Sequence, residues 1–156
     1  MIIEQASIQD LGAILALQKL AYRDEAALYD DYTIPPLTQT LEQIQKDFAS
    51  QLFLKATVRG RIIGSVRAQA VGTTCCIGRL IVHPEFRNRG IGTQLMREIE
   101  ERFQGLERFE LFTGEKSERN LHLYHKLDYE IFKKQRLSNK VTLVYLEKLS
   151  TNKNKP

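Results

Sequence analysis

Between residues 77 and 103 the chain runs IGRLIVHPEFRNRGIGTQLMREIEERF, and this segment limits the architectures open to the whole. An apolar stretch of strand character passes through a proline-containing turn into Arg87-Asn88-Arg89-Gly90-Ile91-Gly92-Thr93, after which the period becomes helical. Leu95, Ile99 and Phe103 repeat on one face with Met96 beside them, while Glu98 and Arg102, and Arg97 and Glu101, stand four apart on the other. A strand that feeds a helix through a glycine-bearing loop points to a sheet with helices packed on it, an α/β or α+β fold.

The flanking sequence fits that frame. Residues 2 to 6 read as a short strand, and Ser7 with Asp10 starts a first helix in the manner of a capping box, carried on Leu11, Ile14, Leu15, Leu17, Leu20 and Ala21. It fades in YRDEAALYDDY; Pro35 and Pro36 are expected to forbid regular structure, and a second helix follows on Leu41, Ile44 and Phe48. From residue 52 the period is two: LFLKATV, a turn at Arg59-Gly60, RIIGSVRAQAV, then TCCIGRLIV make a three-strand meander. After the long helix come a strand at 107 to 112, a helix at about 118 to 127, and strands at 129 to 134 and 141 to 148 joined as a hairpin. The expectation is one domain over residues 1 to 149, a mixed sheet of about seven strands with four helices, and a polar tail at 150 to 156 containing Lys153 and Lys155.

Composition narrows the partners. Hydrophobic residues make up 42% and charged residues 27%, the balance of a globular chain. No apolar run approaches the ~18 residues a membrane span needs. The N-terminal MIIEQASIQD lacks the basic region of a secretory leader, so the cytoplasm is the expected compartment. Cys75 and Cys76 are adjacent, without zinc or redox spacing, and read as small strand residues; three scattered histidines do not suggest a metal site. The net charge of +4 suits an anionic ligand. A nucleic-acid module is the weaker use of that charge: tryptophan is absent, aromatics are 8%, and no dense Lys/Arg run occurs.

The loop suggests which anion. A helix start presents unpaired N–H groups at its positive end, and two glycines let the backbone approach closely, so a pyrophosphate is the natural ligand, with Arg87 or Arg89 adding charge at the rim. A dinucleotide fingerprint would need glycine where Leu95 stands, and no P-loop pattern is present.

Val82-His83-Pro84 followed by Arg87-Asn88-Arg89-Gly90-Ile91-Gly92 resembles motif A of the GNAT superfamily of N-acetyltransferases, [R/Q]-x-x-G-x-[G/A] at a helix start after a strand ending in V-x-P. The stretch from Thr113 to Tyr129, TGEKSERNLHLYHKLDY, is similar to the same family's region ending in L-Y-x-K-x-G-[F/Y]. Together they cover roughly residues 75 to 132. The resemblance implies the GNAT-like acyl-CoA N-acyltransferase fold, acetyl-CoA as cofactor, and direct attack by an amine in a ternary complex. It further implies that the amides of Arg87, Asn88, Arg89, Gly90, Ile91, Gly92 and Thr93 hold the pyrophosphate, and that Ile81 and Val82 pair with the pantetheine arm. Tyr124 would stand beside the sulfur as general acid. Ser117 occupies a place where asparagine is common, with Asn120 sharing its role, and Asp128 one where glycine is usual.

Acetyl transfer also needs an oxyanion donor, for which the Val82 backbone N–H is the candidate, and a base. Strand 4 carries no glutamate, leaving Glu25, Asp30, Asp31, His83 or a water chain. Tyr22, Glu25, Tyr29, Tyr32 and Pro36, with Arg79, are the candidate acceptor pocket, for a small amine, an amino acid or a peptide amine. Arg67 and Arg79 are unusual inside strands; pairing with nearby acids is favoured over binding an acceptor carboxylate. The strand at 141 to 148 is long enough to pair with a second copy as a homodimer. A non-catalytic acyl-CoA-binding domain is the rival reading.

Overall fold

The computed structural model describes residues 1–150; Lys153 and Lys155 lie outside the described residues. Seven strands form one sheet: β1 (Ile2–Gln5), β2 (Leu52–Val58), β3 (Arg61–Val71), β4 (Thr74–Val82), β5 (Arg108–Gly114), β6 (Glu130–Arg136) and β7 (Thr142–Leu149), in the order β1-β2-β3-β4-β5-β7-β6. Neighbours are antiparallel except β4 and β5, which run parallel. The longer helices are α1 (Leu11–Ala21), α4 (Leu41–Ser50), α5 (Ile91–Arg102) and α6 (Glu118–Lys126).

Two short helices were not foreseen. Tyr22 breaks the first helical stretch, and α2 (Arg23–Tyr29) continues it, ending at Asp30 in the left-handed region with φ 47°. Pro35 and Pro36 do not forbid structure but begin the single turn α3 (Pro35–Thr38), because the first helical positions need no N–H acceptor. The capping expectation at Ser7 holds: Asp10 Oδ2 accepts from the Ser7 N–H at 2.8 Å. Of the two expected pairs on α5, Glu98 meets Arg102 at 3.6 Å. Arg97 and Glu101 form no ion pair among the described residues; the basic-before-acidic order is the weaker one against the helix dipole.

Alternation along β2 distributes the core over both faces of the sheet. Phe53 packs with Ala6, Leu11, Ile14 and Ile44 of the α1/α4 layer. Its neighbour Leu54 packs with Ile63, Val66, Leu95 and Ile99 beneath α5, in the cluster that also takes Tyr124 of α6 and Leu127 just after it. β7 lies between β5 and β6, so residues 141 to 148 do not offer the free edge expected for a homodimer; the edge strands are β1 and β6. At the far end, the Ser150 N–H donates to the Glu107 carbonyl at 2.8 Å.

Gly64 sets how closely α5 approaches the sheet. A Cβ there would stand 3.0 Å from Leu95 Cδ1 and 3.2 Å from the Ile81 carbonyl oxygen. Gly64→Ala should therefore lower unfolding free energy by about 1–3 kcal/mol through overpacking, read from the midpoint shift in urea at unchanged slope.

Candidate active site

The pairing of β4 with β5 lasts three residues: Thr74, Cys75 and Cys76 stand against Arg108, Phe109 and Glu110. Beyond them β4 runs on to Val82 and β5 to Gly114 unpaired with each other, and the sheet opens. A bulge turns β4 at this point. Ser65 faces Ile81 but Arg67 faces Gly78, so Arg79 and Leu80 share the single partner position of Val66, and Arg79 takes a left-handed φ of 51°.

Register then decides which backbone groups face the opening. The His83 N–H donates to the Ile63 carbonyl at 2.8 Å, with Gly64 opposite Val82 and Ser65 opposite Ile81. Antiparallel alternation commits the N–H and C=O of Ile81 to β3 and turns those of Val82 toward the gap. Of the two residues expected to offer a free strand edge, only Val82 does so; Ile81 instead packs its side chain with Leu17 and Ala21 of α1.

The start of α5 closes one end of the gap. Gly90 enters it at φ 78°, and the first amide with a helical acceptor is that of Gln94, bonded to the Gly90 carbonyl at 3.1 Å. The amides of Ile91, Gly92 and Thr93 have no backbone acceptor among the described residues. A Cβ on Gly92 would touch Leu123, Leu80 and Val82 at 3.4 to 3.9 Å, so a larger side chain there would enter the space those residues border.

Across the gap, α2 is tied to the start of α6. Tyr29 Oη lies 2.9 Å from Ser117 Oγ and accepts from the Lys116 N–H at 2.9 Å. Ser117 Oγ donates to Glu25 Oε2, and Asn120 Nδ2 lies 3.4 Å from Glu25 Oε1 and 3.2 Å from Thr113 Oγ1. Glu25 is thereby held in place by two side chains from the opposite wall.

Two adjoining cavities result. The first, about 450 Å³, is bordered by Ile81, Val82, Arg87, Asn88, Gly90, Ile91, Gly92, Thr93 and Asn120 among the expected residues. The second, about 260 Å³, is bordered by Tyr29, Pro36, Arg79 and Tyr124. Tyr22, Glu25, Leu80 and Asn120 border both. Three expected residues stand apart. Arg89 lies over the Phe86 ring, 5.1 Å from its centroid; Ser117 is buried in the network just described; Tyr32 is 59% exposed on the surface. Arg87 pairs with Asp24 and donates to the Ala21 carbonyl at 3.2 Å, bridging the loop to the end of α1.

Tyr124 is buried, and that burial chiefly, with Tyr22 and Glu25 adding to it, raises its pKa well above the phenol value. It keeps its proton at neutral pH. It borders the second cavity. His83 borders neither cavity; its Nδ1 accepts from the Glu85 N–H at 3.1 Å and its Nε2 lies 3.0 Å from Arg61 Nη2. Asp30 and Asp31 point elsewhere, toward Lys140 and Thr33. Cys75 is in the core, where burial pushes its thiol up to about 12, and neither cysteine borders either of these two cavities.

A strand pair that parts at a bulge, with a glycine-capped helix filling one end of the opening, is matched by an independent comparison. The family model described as "Acetyltransferase (GNAT) family" matches residues 14–129. The chain belongs to that family. An acetyltransferase of Pectobacterium atrosepticum is 37% identical over 81 residues, covering 51% of this chain and 57% of that protein. The chain thus matches a little over half the length of that curated relative. Among solved structures, smu.2055 from Streptococcus mutans superposes with a TM-score of 0.83 at 15% identity, covering 96% of this chain and 99% of that one. The PaiA N-acetyltransferase of Thermoplasma acidophilum, solved in complex with coenzyme A, gives a TM-score of 0.76 at 18% identity over 93% and 98%. Both share the GNAT fold.

Residues that reading the sequence missed border the cavities of this GNAT fold as well. Arg119 and Lys126 of α6 reach the first cavity, seven residues apart on one helical face, a spacing the sequence does contain. Leu111 of β5, Leu143 of β7 and Val141 just before β7 wall the second; they are distant in sequence from the rest of the site, and no local signal marks them.

The bond between α2 and α6 depends on Gly114, where any Cβ would overlap the Tyr29 ring and hydroxyl. Gly114→Ala should destabilise by about 1–3 kcal/mol, and by less than half as much when Tyr29→Ala is already present. A double-mutant cycle by urea unfolding reads that coupling directly.

Proposed function

We propose that this chain transfers the acetyl group of acetyl-CoA to the primary amine of a small acceptor by direct attack in a ternary complex. The observation that carries this reading is the continuity of three features: the free amides at the start of α5, the Val82 backbone facing the gap, and Glu25 bordering both cavities.

The residues present fit the cofactor. In this reading the amides of Ile91, Gly92 and Thr93 meet the pyrophosphate, and Arg119 and Lys126 supply charge for the phosphates, with Arg87 available once it parts from Asp24. The Val82 C=O and N–H hold the pantetheine arm and the thioester oxygen, the N–H being the oxyanion donor. Acetyl-CoA supplies an activated acyl carbon on a thiolate leaving group. The acceptor enters through the second cavity, where the apolar wall and the small volume suit a compact molecule.

Proton traffic then falls to Glu25 and Tyr124. An alkyl ammonium near its ordinary pKa of about 10 must lose a proton before it attacks. Glu25, oriented by Ser117 and Asn120, is the carboxylate best placed to accept it, and it is the base assigned here. The amine nitrogen then bonds to the acyl carbon and the C–S bond breaks; of the two protons that the ammonium nitrogen loses in all, one ends on sulfur and the other leaves through Glu25 to solvent. A phenol with a raised pKa gives its proton up reluctantly to a thiolate of pKa about 8.5. Tyr124 therefore acts as a hydrogen-bond donor to the departing sulfur, and the sulfur draws its proton finally from the Glu25 side or from solvent. Cys75, protonated and walled off, has no part in it.

Calorimetric titration with acetyl-CoA should give one-to-one binding, weakened at least tenfold by Gly92→Glu in a protein with unchanged circular dichroism. Absence of saturable binding by the unaltered chain up to about millimolar cofactor would refute the cofactor cleft. Once an acceptor is found, Tyr124→Phe should lower kcat about 10²-fold while the acetyl-CoA Kd stays within threefold. An unchanged kcat would remove Tyr124 from the chemistry.

A further inference from the structure

Two arginines come from neighbouring strands of the sheet, and they differ in how they are satisfied. Arg67 on β3 is 3% exposed, bonded to Asp47 Oδ2 at 3.0 Å and Gln18 Oε1 at 2.6 Å, with its guanidinium carbon 4.4 Å from the centroid of the Phe53 ring. The expected pairing with an acid is met there. Arg79 on β4 has no carboxylate within 4 Å among the described residues, and its one hydrogen bond is a long 3.4 Å contact to Gln39 Oε1. That oxygen already accepts from Gln18 Nε2 at 3.0 Å, and Gln39 Nε2 is given to Asp47 at 2.8 Å.

The charges in this corner do not balance. Arg67 and Arg79 are near enough for their repulsion to assist burial in lowering the Arg67 pKa to about 10, and among the described residues Asp47 is the only carboxylate bonded to either. A guanidinium with most of its five donors unengaged, beside a second cation, is a site for one more anion. Backbone geometry aims it. Arg79 sits at the bulge with φ 51°, a conformation that side chains rarely adopt and that strands keep where a side chain is redirected. Here it is directed to the second cavity, whose wall includes Ile34, Leu111, Val141 and Leu143 and whose other charged group is Glu25.

We infer that the acceptor is an amino acid with an apolar side chain, its carboxylate held by Arg79 while its amine faces Glu25. The inference rests on the second cavity being the acceptor site. A cationic polyamine would place positive charge against Arg79, and a monoamine without a carboxylate would leave the half-buried guanidinium without a counterion. The volume of about 260 Å³ lies below the ~300–1,000 Å³ usual for drug-sized ligands and suits a single amino acid.

The test compares matched acceptors with the full chain and acetyl-CoA: leucine, leucinamide and isoamylamine, then phenylalanine, phenylalaninamide and phenethylamine, with acetylated product measured by mass spectrometry. The amino acids should exceed their amides in kcat/KM by about 10²-fold, the worth of a charged hydrogen-bonded pair. Arg79→Met should bring that ratio near one. Arg79→Asn, which tolerates the left-handed backbone, should do the same and guards against a folding defect. Retained acetyl-CoA binding by calorimetry shows that either variant is folded. Equal use of amides and amines by the unaltered chain, or product from neither amino acid, overturns the assignment, as does an equal loss on all acceptors in both folded variants. Failure of the unaltered chain to bind acetyl-CoA is a distinct result: it overturns the transferase reading, and this inference with it.

Discussion

Everything at the site depends on β4 and β5 parting after three paired residues. A parallel pair that stayed together through Val82 and Gly114 would satisfy the Val82 backbone with a neighbouring strand and leave no space between them. The parting has a cost, since a strand edge inside a sheet must find other partners for its polar groups. The chain meets part of that cost locally. The bulge at Arg79 turns β4 away, α5 packs its Leu95 and Ile91 against Gly64, and β5 gains β7 as a continuous partner along its whole length. What remains unsatisfied is the Val82 edge, and it is this edge that an extended amide-bearing ligand would complete.

α2 and α6 stand on opposite sides of the opening, and their link makes it a site. Tyr29, Ser117, Glu25, Asn120 and Thr113 form one continuous set of hydrogen bonds from α2 through α6 to β5. Glu25 belongs to a short helix that buries only Ala26 and Tyr29, and an unsupported glutamate there would sample many rotamers. Bonded at both oxygens, it has one direction. Ser117 supplies one of those bonds, its hydroxyl donating to Glu25 Oε2. Asn120, one turn on, borders both cavities, as Glu25 and Tyr22 do.

The fold and the first cavity were legible in the sequence because their signals are local. Strand alternation in residues 52 to 82, the helical period from Leu95 to Phe103, and the glycines at 90 and 92 each sit within a few residues of the structure they specify. Asp128, which stands where glycine is usual in the resemblance, has φ 72°, in the left-handed region. The second cavity was less legible. Tyr32 was grouped with Tyr22 and Tyr29 by nearness in sequence, but α2 ends at Asp30 and the chain turns outward, leaving Tyr32 on the surface. The two arginines looked alike as cations in apolar strands. Only tertiary structure distinguishes them, because Asp47 and Gln18 come from α4 and α1 and reach Arg67 alone.

That difference bears on why the bulge sits where it does. Without the extra residue, Arg79 would keep simple alternation with its neighbours and would point to one face of β4 by register alone. Two guanidiniums from adjacent strands would then compete for a single carboxylate, with no room for a third charge. The bulge separates their tasks: one cation is neutralised inside the α1/α4 layer and braces it, and the other is held beside a cavity at the cost of an unfavourable φ. Strain of that kind, of the order of 1–3 kcal/mol, persists only when the surrounding structure fixes it. β3 on one side, and α1 packed on Ile81, fix it here. The same distortion that opens the sheet beside Val82 thus also orients the cation facing the second cavity, so the two cavities share one structural cause.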